Sequence, residues 1–226
     1  MKLSVVIPSR NEEDTIAEVL RRVRAVDVGM EKEIIVVDGS SDRTREVLGQ
    51  EGDRDLTVVL EEQPRGKGAA VRTGLERAQG GIVLIQDADL ELDPAEYPRL
   101  LQPIIEGQAE VVYGSRFRDG RGQTPLLSYL GNIALTRACN LLFRGVLSDM
   151  ATCYKVFEAD ALRPLELRCN GFDLDAEITA RLLKRGARIV EVPVSYRPRH
   201  RSEGKKLDWR SGVSMLYALL RCRFTP

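Results

Sequence analysis

Residues 82–89, Ile-Val-Leu-Ile-Gln-Asp-Ala-Asp, form an apolar run that ends in two carboxylates. Four apolar residues between a pair of glycines and these acids are typical of a buried strand in a parallel sheet. Because an unpaired carboxylate is costly to bury, we expect Asp87 and Asp89 just beyond the carboxyl end of the strand. Open α/β sheets bind their ligands at this edge. Two oxygen donors there suit a divalent cation on a diphosphate, and an Asp-rich turn before the next helix is the alternative.

Strand and helix patterns alternate through the first half of the chain, and helices predominate in the second. Such alternation predicts βαβ units, and hence an α/β fold with a mostly parallel sheet flanked by helices. Strands are predicted at 3–7, 33–37, 56–60, 82–86, 109–113 and 188–194, with a short extended piece at 153–157. Helices are predicted at 12–26, 42–48, 67–78, 95–106, 125–143, 173–185 and 209–222.

Length and cysteine content narrow the class of protein. A chain of 226 residues can bury one large core and is short for two domains, so we expect a single domain over 1–226. The four cysteines are scattered without C-x-x-C spacing, which favours free thiols in a reducing compartment. The N-terminal apolar run is broken too early by Pro8 to be a signal peptide, and no apolar run reaches the roughly 18 residues of a membrane span. These features predict a cytoplasmic protein.

The formal net charge of zero conceals an uneven distribution. Residues 1–112 contain 14 Lys and Arg against 23 Asp and Glu, whereas residues 113–226 contain 20 against 11. An acidic half suits a metal-assisted site, and a basic half suits an anionic partner such as a phosphate or a membrane surface. The alternative is that solvated faces differ in charge without functional meaning.

Five short motifs carry the polar residues, and the first four follow predicted strands, so they would meet at one edge of the sheet. They are Val-Ile-Pro-Ser-Arg-Asn-Glu-Glu at 6–13, Val-Val-Asp-Gly-Ser-Ser-Asp at 36–42, Arg-Gly-Lys-Gly at 65–68, Asp-Ala-Asp at 87–89 and Gly-Ser-Arg-Phe at 114–117. In this order and spacing the chain resembles the family 2 glycosyltransferases of GT-A (Rossmann-like) fold, and among them the dolichyl- or polyprenyl-phosphate mannosyltransferase and glucosyltransferase group. Further segments at 149–155, 191–196 and 203–206 extend the resemblance over essentially the whole chain.

The resemblance implies a nucleotide site after the first strand. Pro8, Arg10, Asn11 and Glu12 stand there, where backbone and polar side chains can contact a base and a ribose. For Asn11 and Glu12 the alternative is capping of the following helix, and both roles can coexist.

Two further positions are assigned to the donor nucleotide. Asp38, in an Asp-Gly-Ser-Ser turn, can accept hydrogen bonds from the base or ribose, or can serve only to form the turn. The family often has two consecutive acids here, whereas this chain has Val37 before Asp38. Lys67 lies between two glycines at a predicted helix start, which suits a phosphate, with a flexible turn as the alternative.

The resemblance also implies a metal ion, Mg²⁺ or Mn²⁺, on the diphosphate of the donor. Asp89 is then the direct ligand, and Asp87 with Ala88 contacts the nucleotide side. The family commonly has Gln where this chain has Glu91, which we expect to act as a second metal ligand. The ion neutralises the leaving nucleoside diphosphate as a Lewis acid.

A phosphate acceptor needs a cationic cradle rather than a strong base, because its oxygen is already anionic near neutral pH. The basic residues that could form such a cradle lie in the second half of the chain. They are Arg116, Arg118, Arg199, Lys205 and Lys206. By resemblance, Arg116, Arg199 and Lys206 contact the phosphates, and a solvated basic loop is the alternative. His200, the single histidine, indicates neither a metal site nor a catalytic triad.

Two other functions compete with this one. A related enzyme acting on a sugar hydroxyl would use Asp175 or Glu177 as base, although these acids, like Asp173, also suit the start of a helix. A nucleotidyltransferase or a nucleotide-binding module would share the fold type. Nucleotidyltransferases usually show a Gly-rich loop after the first strand, and Pro-Ser-Arg-Asn at 8–11 is not one.

The last predicted helix is amphipathic. Its apolar residues are predicted to share one broad face, which either lies in a membrane interface or packs on the core. These residues are Trp209, Val213, Leu216, Tyr217 and Leu220, flanked by Arg210, Arg221 and Arg223.

Together these features predict an inverting glycosyltransferase with a nucleotide-sugar half at 1–114 and an acceptor half at 115–226. The resemblance favours transfer of mannose, with glucose next, from a nucleotide sugar such as GDP-mannose to a polyprenyl or dolichyl phosphate. It implies no nucleic-acid partner, and a location in the cytoplasm or peripheral on the cytoplasmic face of the membrane.

Overall fold

The structure is a computed structural model that describes residues 1–52, 54–199 and 209–225. Its centre is one seven-stranded sheet, which confirms the predicted α/β class. The strands are β1 (Lys2–Ser9), β2 (Glu31–Asp38), β3 (Leu56–Leu60), β4 (Ile82–Ile85), β5 (Val111–Ser115), β6 (Lys155–Glu158) and β7 (Ile189–Pro193). They lie in the order β3-β2-β1-β4-β6-β5-β7. Every neighbouring pair is parallel except the two that include β6, which is antiparallel to β4 and to β5.

Each predicted helix is present, with ends shifted by a few residues. The helices are α1 (Ile16–Ala25), α2 (Thr44–Gln50), α3 (Lys67–Arg77), α4 (Tyr97–Ile105), α5 (Leu126–Phe143), α6 (Ala159–Leu162), α7 (Leu174–Lys184) and α8 (Trp209–Phe224). The short α6 was not predicted, and a 3₁₀ turn at Pro94–Glu96 replaces the first turn expected before α4. A membrane-spanning helix is absent from the part of the chain that the structure describes.

Two apolar layers cover the two faces of the sheet. Because side chains alternate along a strand, Val5 and Ile7 of β1 enter the layer that includes α1 and α4, and Val6 enters the opposite layer. The opposite layer is filled by residues of α5, α7 and α8. Burial on both faces explains why β1 and β4 are nearly continuous apolar runs.

The apolar face predicted for α8 does not pack on the core, so this alternative is wrong. Trp209, Val213 and Tyr217 are 75%, 58% and 67% exposed. The helix packs on the core through another set of small and apolar residues, namely Met215, Ala218, Leu219 and Cys222. All four cysteines of the chain are free thiols, as expected.

The parallel strands bring the predicted motifs to one edge. Ser9 at the end of β1 pairs with Asp38 at the end of β2, and Ile85 at the end of β4 pairs with Val6. The segments that follow these three strands therefore leave the sheet side by side.

Candidate active site

Asp87 and Lys67 form an ion pair just beyond β4. The Lys67 ammonium, on the first turn of α3, lies 2.5 Å from Asp87 Oδ1 and 3.1 Å from the Cys153 Sγ. Burial would raise the pKa of Asp87, but the charge and hydrogen bond of Lys67, together with Cys153 and Arg199, lower that pKa. Lys67 therefore neutralises Asp87, the first of the two acids.

The glycines around Lys67 serve close packing. Gly66 has a φ of 120°, and a Cβ on it would lie 2.5 Å from the carbonyl oxygen of Asn170. A Cβ on Gly68 would lie 2.7 Å from the carbonyl oxygens of Cys169 and Gly171. The amide of Ala69 donates to Asn170 O at 3.1 Å. The motif therefore joins α3 to the 169–171 segment, and Lys67 remains the predicted phosphate contact.

Asp89 lies where negative charge accumulates. Burial, followed by the charges of Asp87 and Glu91, raises its pKa to about 7 in spite of the nearby Arg199. Its Oδ1 accepts a hydrogen bond from the Glu91 amide at 3.1 Å, and its Oδ2 accepts one from Arg199 Nη2 at 2.7 Å. A cation at Asp89 would relieve this repulsion, and the guanidinium of Arg199 already does so in part.

Arg199 joins three parts of the edge. Its guanidinium contacts Asp89 and both carboxylate oxygens of Glu12, at 2.9 and 3.1 Å. Its backbone amide donates to Glu91 Oε1 at 2.6 Å, and Tyr196 donates to Glu91 Oε2 at 3.1 Å. Glu91 therefore holds the stretch after β7 with both oxygens, and ligation of a metal by Glu91 would compete with these bonds.

The donor set at Asp89 fits Mg²⁺ or Mn²⁺ with few protein ligands. The described residues contain no group of three or more His, Cys, Asp or Glu side chains arranged to hold a metal. Mg²⁺ is usually bound through one or two carboxylates and completed by phosphate oxygens and water. Asp89, with Asp87 and Glu91 nearby, would supply the carboxylates of such a partial site.

Asp38 belongs to a buried network that links the segments after β1 and β2. Its oxygens accept from the Ser40 hydroxyl at 2.5 Å and from the Ser40 amide at 3.3 Å. The Ser40 hydroxyl in turn accepts from the Asn11 amide at 2.7 Å, and Asn11 Oδ1 accepts from the Ser41 amide at 2.9 Å. Asn11 has a φ of 54°. Asn11 is therefore a junction between two loops, and since α1 starts only at Ile16 it does not cap that helix.

The other predicted nucleotide residues lie on the same edge. Pro8 is opposite Val37 in the sheet, and Arg10 is exposed just after β1. The Ala88 carbonyl accepts from the Thr15 hydroxyl at 2.9 Å. Thr15, and not Glu12, is the N-cap residue of α1. Glu12 instead binds Arg199, which puts it on the side of the metal candidate.

Arg116 is held by a partner that the motifs did not reveal. Asp149 accepts from Arg116 Nε at 2.7 Å, from Nη2 at 2.8 Å and from the backbone amide at 3.0 Å. The guanidinium lies 5.1 Å from the ring centroids of Phe117 and Tyr196. Burial opposes the charge on Arg116, but Asp149 raises its pKa. Nη1 is the guanidinium nitrogen that does not bind Asp149.

Asp175 and Glu177 on α7 are committed to structural contacts. Asp175 accepts from the buried Lys155 ammonium at 2.6 Å. Glu177 accepts from the amides of Arg168 and Cys169, at 2.8 and 2.7 Å, and from Arg221 of α8 at 3.0 Å. Burial would raise the pKa of Glu177, but the amide hydrogen bonds lower it. An acid with a lowered pKa is a weak general base.

Two tyrosines hold Gln86, the residue before the Asp87–Asp89 turn. The hydroxyls of Tyr97 and Tyr154 both donate to Gln86 Oε1 at 2.8 Å, and Gln86 Nε2 donates to the Asp87 carbonyl at 3.0 Å. Sequence reasoning missed this support, and its signal was a polar Gln at the end of an apolar strand. Lys205 and Lys206, the remaining predicted acceptor contacts, lie outside the described residues.

Comparison with known proteins assigns this chain to a family. Residues 4–165 match the profile of the family described as Glycosyl transferase family 2. A dolichyl-phosphate hexose transferase of Haloferax volcanii is 35% identical over 198 residues, which cover 87% of this chain and 83% of that protein. A dolichol-phosphate mannosyltransferase of Pyrococcus furiosus is 29% identical over 218 residues, which cover 91% of this chain and 59% of that protein.

A solved structure agrees with the fold over the whole chain. Glucosyl-3-phosphoglycerate synthase from Mycobacterium tuberculosis, crystallised with Mg²⁺ and UDP, superposes with a TM-score of 0.73 at 25% identity and covers 100% of this chain and 80% of that one. The chain spans 48% of the length of another relative, a low-salt glycan biosynthesis hexosyltransferase of Haloferax volcanii. Because the family profile covers most of the chain, and a relative above 30% identity matches nearly all of it, the chain belongs to glycosyl transferase family 2.

Proposed function

We propose that the protein is an inverting glycosyltransferase that transfers a hexose from a nucleotide sugar to a polyprenyl or dolichyl phosphate at a membrane surface. Mannose from GDP-mannose is the favoured donor sugar, and glucose is next. The observation that carries the proposal is the contact of Arg199 with Asp89 and Glu12. It joins the acidic edge of the first half, suited to a metal and a diphosphate, to a cation of the second half, suited to an acceptor phosphate.

Residues of the first half would bind the donor. Asp38 and Asn11, with Pro8 and Arg10 beside them, border the side on which the nucleoside would lie. Lys67 would bind the diphosphate, and Asp89 would hold the metal with Asp87 or Glu91. The ion, when bound, neutralises the charge that develops on the departing nucleoside diphosphate.

Residues of the second half would bind the acceptor. Arg116 through Nη1 and Arg199 through its guanidinium would hold the lipid phosphate, with Lys205 and Lys206 as further candidates. A phosphate oxygen attacks the anomeric carbon, and the bond from that carbon to the nucleoside diphosphate breaks on the opposite face, so the configuration inverts. No proton has to be removed from the attacking oxygen.

The state of Asp175 and Glu177 supports a phosphate over a hydroxyl acceptor. A hydroxyl acceptor requires a base, and both candidate carboxylates are already bound, one by Lys155 and the other by two amides and Arg221. The two relatives, a dolichyl-phosphate hexose transferase and a dolichol-phosphate mannosyltransferase, support the same acceptor class.

A transfer assay tests the proposal. GDP-mannose and UDP-glucose are each supplied with Mg²⁺ or Mn²⁺ to a short polyprenyl phosphate in detergent, and to the corresponding prenyl alcohol. We expect product only from the phosphate, with one of the two donors preferred. Equal transfer to the alcohol would reject the phosphate acceptor, and no transfer from either donor would reject both favoured sugars.

A further inference from the structure

Helix α8 exposes an apolar stripe along its whole length. The exposed residues recur at the spacing of one helix face, and the opposite face is buried in the core. They are Trp209, Val213, Leu216, Tyr217, Leu220 and Phe224, between 40% and 82% exposed. Such a stripe is costly to leave in water, and large exposed apolar surfaces mark sites of association.

Helix α5 adds a second exposed stripe next to the first. Leu127, Leu130 and Leu141 are 85%, 52% and 85% exposed. The two helices are neighbours, since a Cβ on Gly212 of α8 would lie 3.9 Å from Leu135 Cδ1 of α5. We name the exposed apolar residues of these two adjacent helices the α5–α8 surface.

The charges on these helices are all positive. Neither α5 nor α8 contains Asp or Glu, whereas Arg137 lies on α5 and Arg210, Arg221 and Arg223 lie on α8. Arg221 is paired with Glu177, and the other three are exposed. Helices that expose apolar side chains, with Trp and Tyr among them, and that carry Arg but no acid match the headgroup region of an anionic bilayer.

The α5–α8 surface is also tied to the proposed acceptor residues. Asn140 and Thr136 of α5 bind the backbone amides of Leu147 and Met150, at 3.0 and 3.1 Å, on either side of the segment that carries Asp149, the partner of Arg116. Contact of α5 with a membrane would thus hold Arg116 at a fixed place relative to the lipid headgroups.

We propose that the α5–α8 surface lies in the headgroup region of a bilayer rich in anionic lipid. This proposal rests on the proposed function. The acceptor in that function is a membrane lipid, and this is the reason to expect a membrane as the partner. A second copy of the chain is the competing occupant, and it would pair two cationic surfaces with each other.

The single tryptophan, Trp209, makes the surface directly observable. We expect its fluorescence to shift to the blue when vesicles of phosphatidylcholine and phosphatidylglycerol are added, and to be quenched by brominated lipid in those vesicles. Vesicles of phosphatidylcholine alone should bind more weakly, and added salt should reduce binding to the mixed vesicles. An unchanged spectrum with every vesicle would overturn the proposal.

Matched variants locate the contact. The double variant Leu127→Ser, Tyr217→Ser should lower vesicle affinity about tenfold or more, because it removes two apolar groups from the buried side of the interface. Ile105→Ser is the control, since Ile105 is 51% exposed on α4, across the sheet. Equal vesicle affinity of the double variant and the control would overturn the proposal. A second result would also overturn it. In that result the wild-type protein is a dimer in sedimentation, the double variant is a monomer, and neither protein binds vesicles.

The same variants separate this proposal from the proposed function. Transfer to a short, water-soluble polyprenyl phosphate should be unchanged in Leu127→Ser, Tyr217→Ser. Vesicle binding without any transfer would refute the proposed function and leave the surface intact. Transfer without vesicle binding would refute the surface and leave the proposed function intact.

Discussion

The two halves of the molecule build their sides of the site in different ways. The proposed donor side uses short polar segments at the ends of adjacent parallel strands, and its network of Asp38, Ser40 and Asn11 joins neighbouring loops. The proposed acceptor side uses charges paired across the fold, as in Arg116 with Asp149 and Lys155 with Asp175. The excess of basic residues in the second half therefore overstates the cations open to an acceptor, because several of them already stabilise the fold.

The largest expected effect is the loss of stability when a buried charge pair of the second half is broken. Asp149→Ala leaves the Arg116 guanidinium, only 10% exposed, without its partner, and loss of one member of a buried pair costs about 3–5 kcal/mol. We expect that loss in the free energy of unfolding measured by urea denaturation. Arg118→Ala, an exposed neighbour, should change it little. Equal stability of the two variants would mean that Asp149 is not a structural partner.

Asp89 should dominate on the donor side. Asp89→Asn removes the charge that a metal would bind while keeping the volume, so we expect transfer to fall by about 100-fold or more, with the thermal midpoint unchanged. Mn²⁺ binding in the presence of nucleoside diphosphate, followed by electron paramagnetic resonance, should weaken in parallel. Near wild-type turnover in saturating Mg²⁺ would refute the metal site.

Glu177 tests whether the acidic residues of the second half are structural. Glu177→Gln weakens contacts to two amides and Arg221, so the free energy of unfolding should fall by about 1–3 kcal/mol. Transfer to polyprenyl phosphate at a temperature well below the midpoint should remain. Loss of transfer in a variant that is still folded would instead support a carboxylate base, and with it a hydroxyl acceptor.

Donor binding gives a smaller expected effect. Asp38→Ala and Lys67→Ala should each weaken nucleotide-sugar binding by about 1–3 kcal/mol, the range for loss of a hydrogen bond to a charged or buried partner. Isothermal titration calorimetry measures this directly. Unchanged affinity in both variants would move the nucleotide site away from the ends of β2 and β4.

Local patterns predicted most of the fold and the meeting of the polar motifs at one edge of the sheet. The apolar run of β4 that ends in Asp87 and Asp89 was readable because a buried strand excludes unpaired acids. The antiparallel position of β6 between β4 and β5 could not be predicted, because the sequence of an extended segment does not indicate which strands it pairs with. Both faces of α8 contain large apolar residues, so its pattern could not tell the buried face from the exposed one.

The carboxylate partners of Arg116 and Arg199 were not predicted because these contacts are long-range. Arg116 and Asp149 are 33 residues apart, and Arg199 and Glu12 are 187 apart. The sequence marked Arg116 and Arg199 as phosphate contacts by resemblance, but no local signal indicated that each binds a carboxylate. The support of Gln86 by Tyr97 and Tyr154 was hidden for the same reason.

Arg199→Ala tests most directly the claim that the two halves divide donor and acceptor between them. Titration calorimetry gives the donor Kd, and initial rates give the KM for a short polyprenyl phosphate. The acceptor KM should rise about tenfold, the effect of one lost charge-assisted contact, and added salt should raise the wild-type KM as well. The donor Kd should stay the same or improve in Mn²⁺, because Arg199 no longer competes for Asp89 Oδ2. A donor Kd that worsens as much as the acceptor KM, or full activity in Arg199→Ala, would contradict the account.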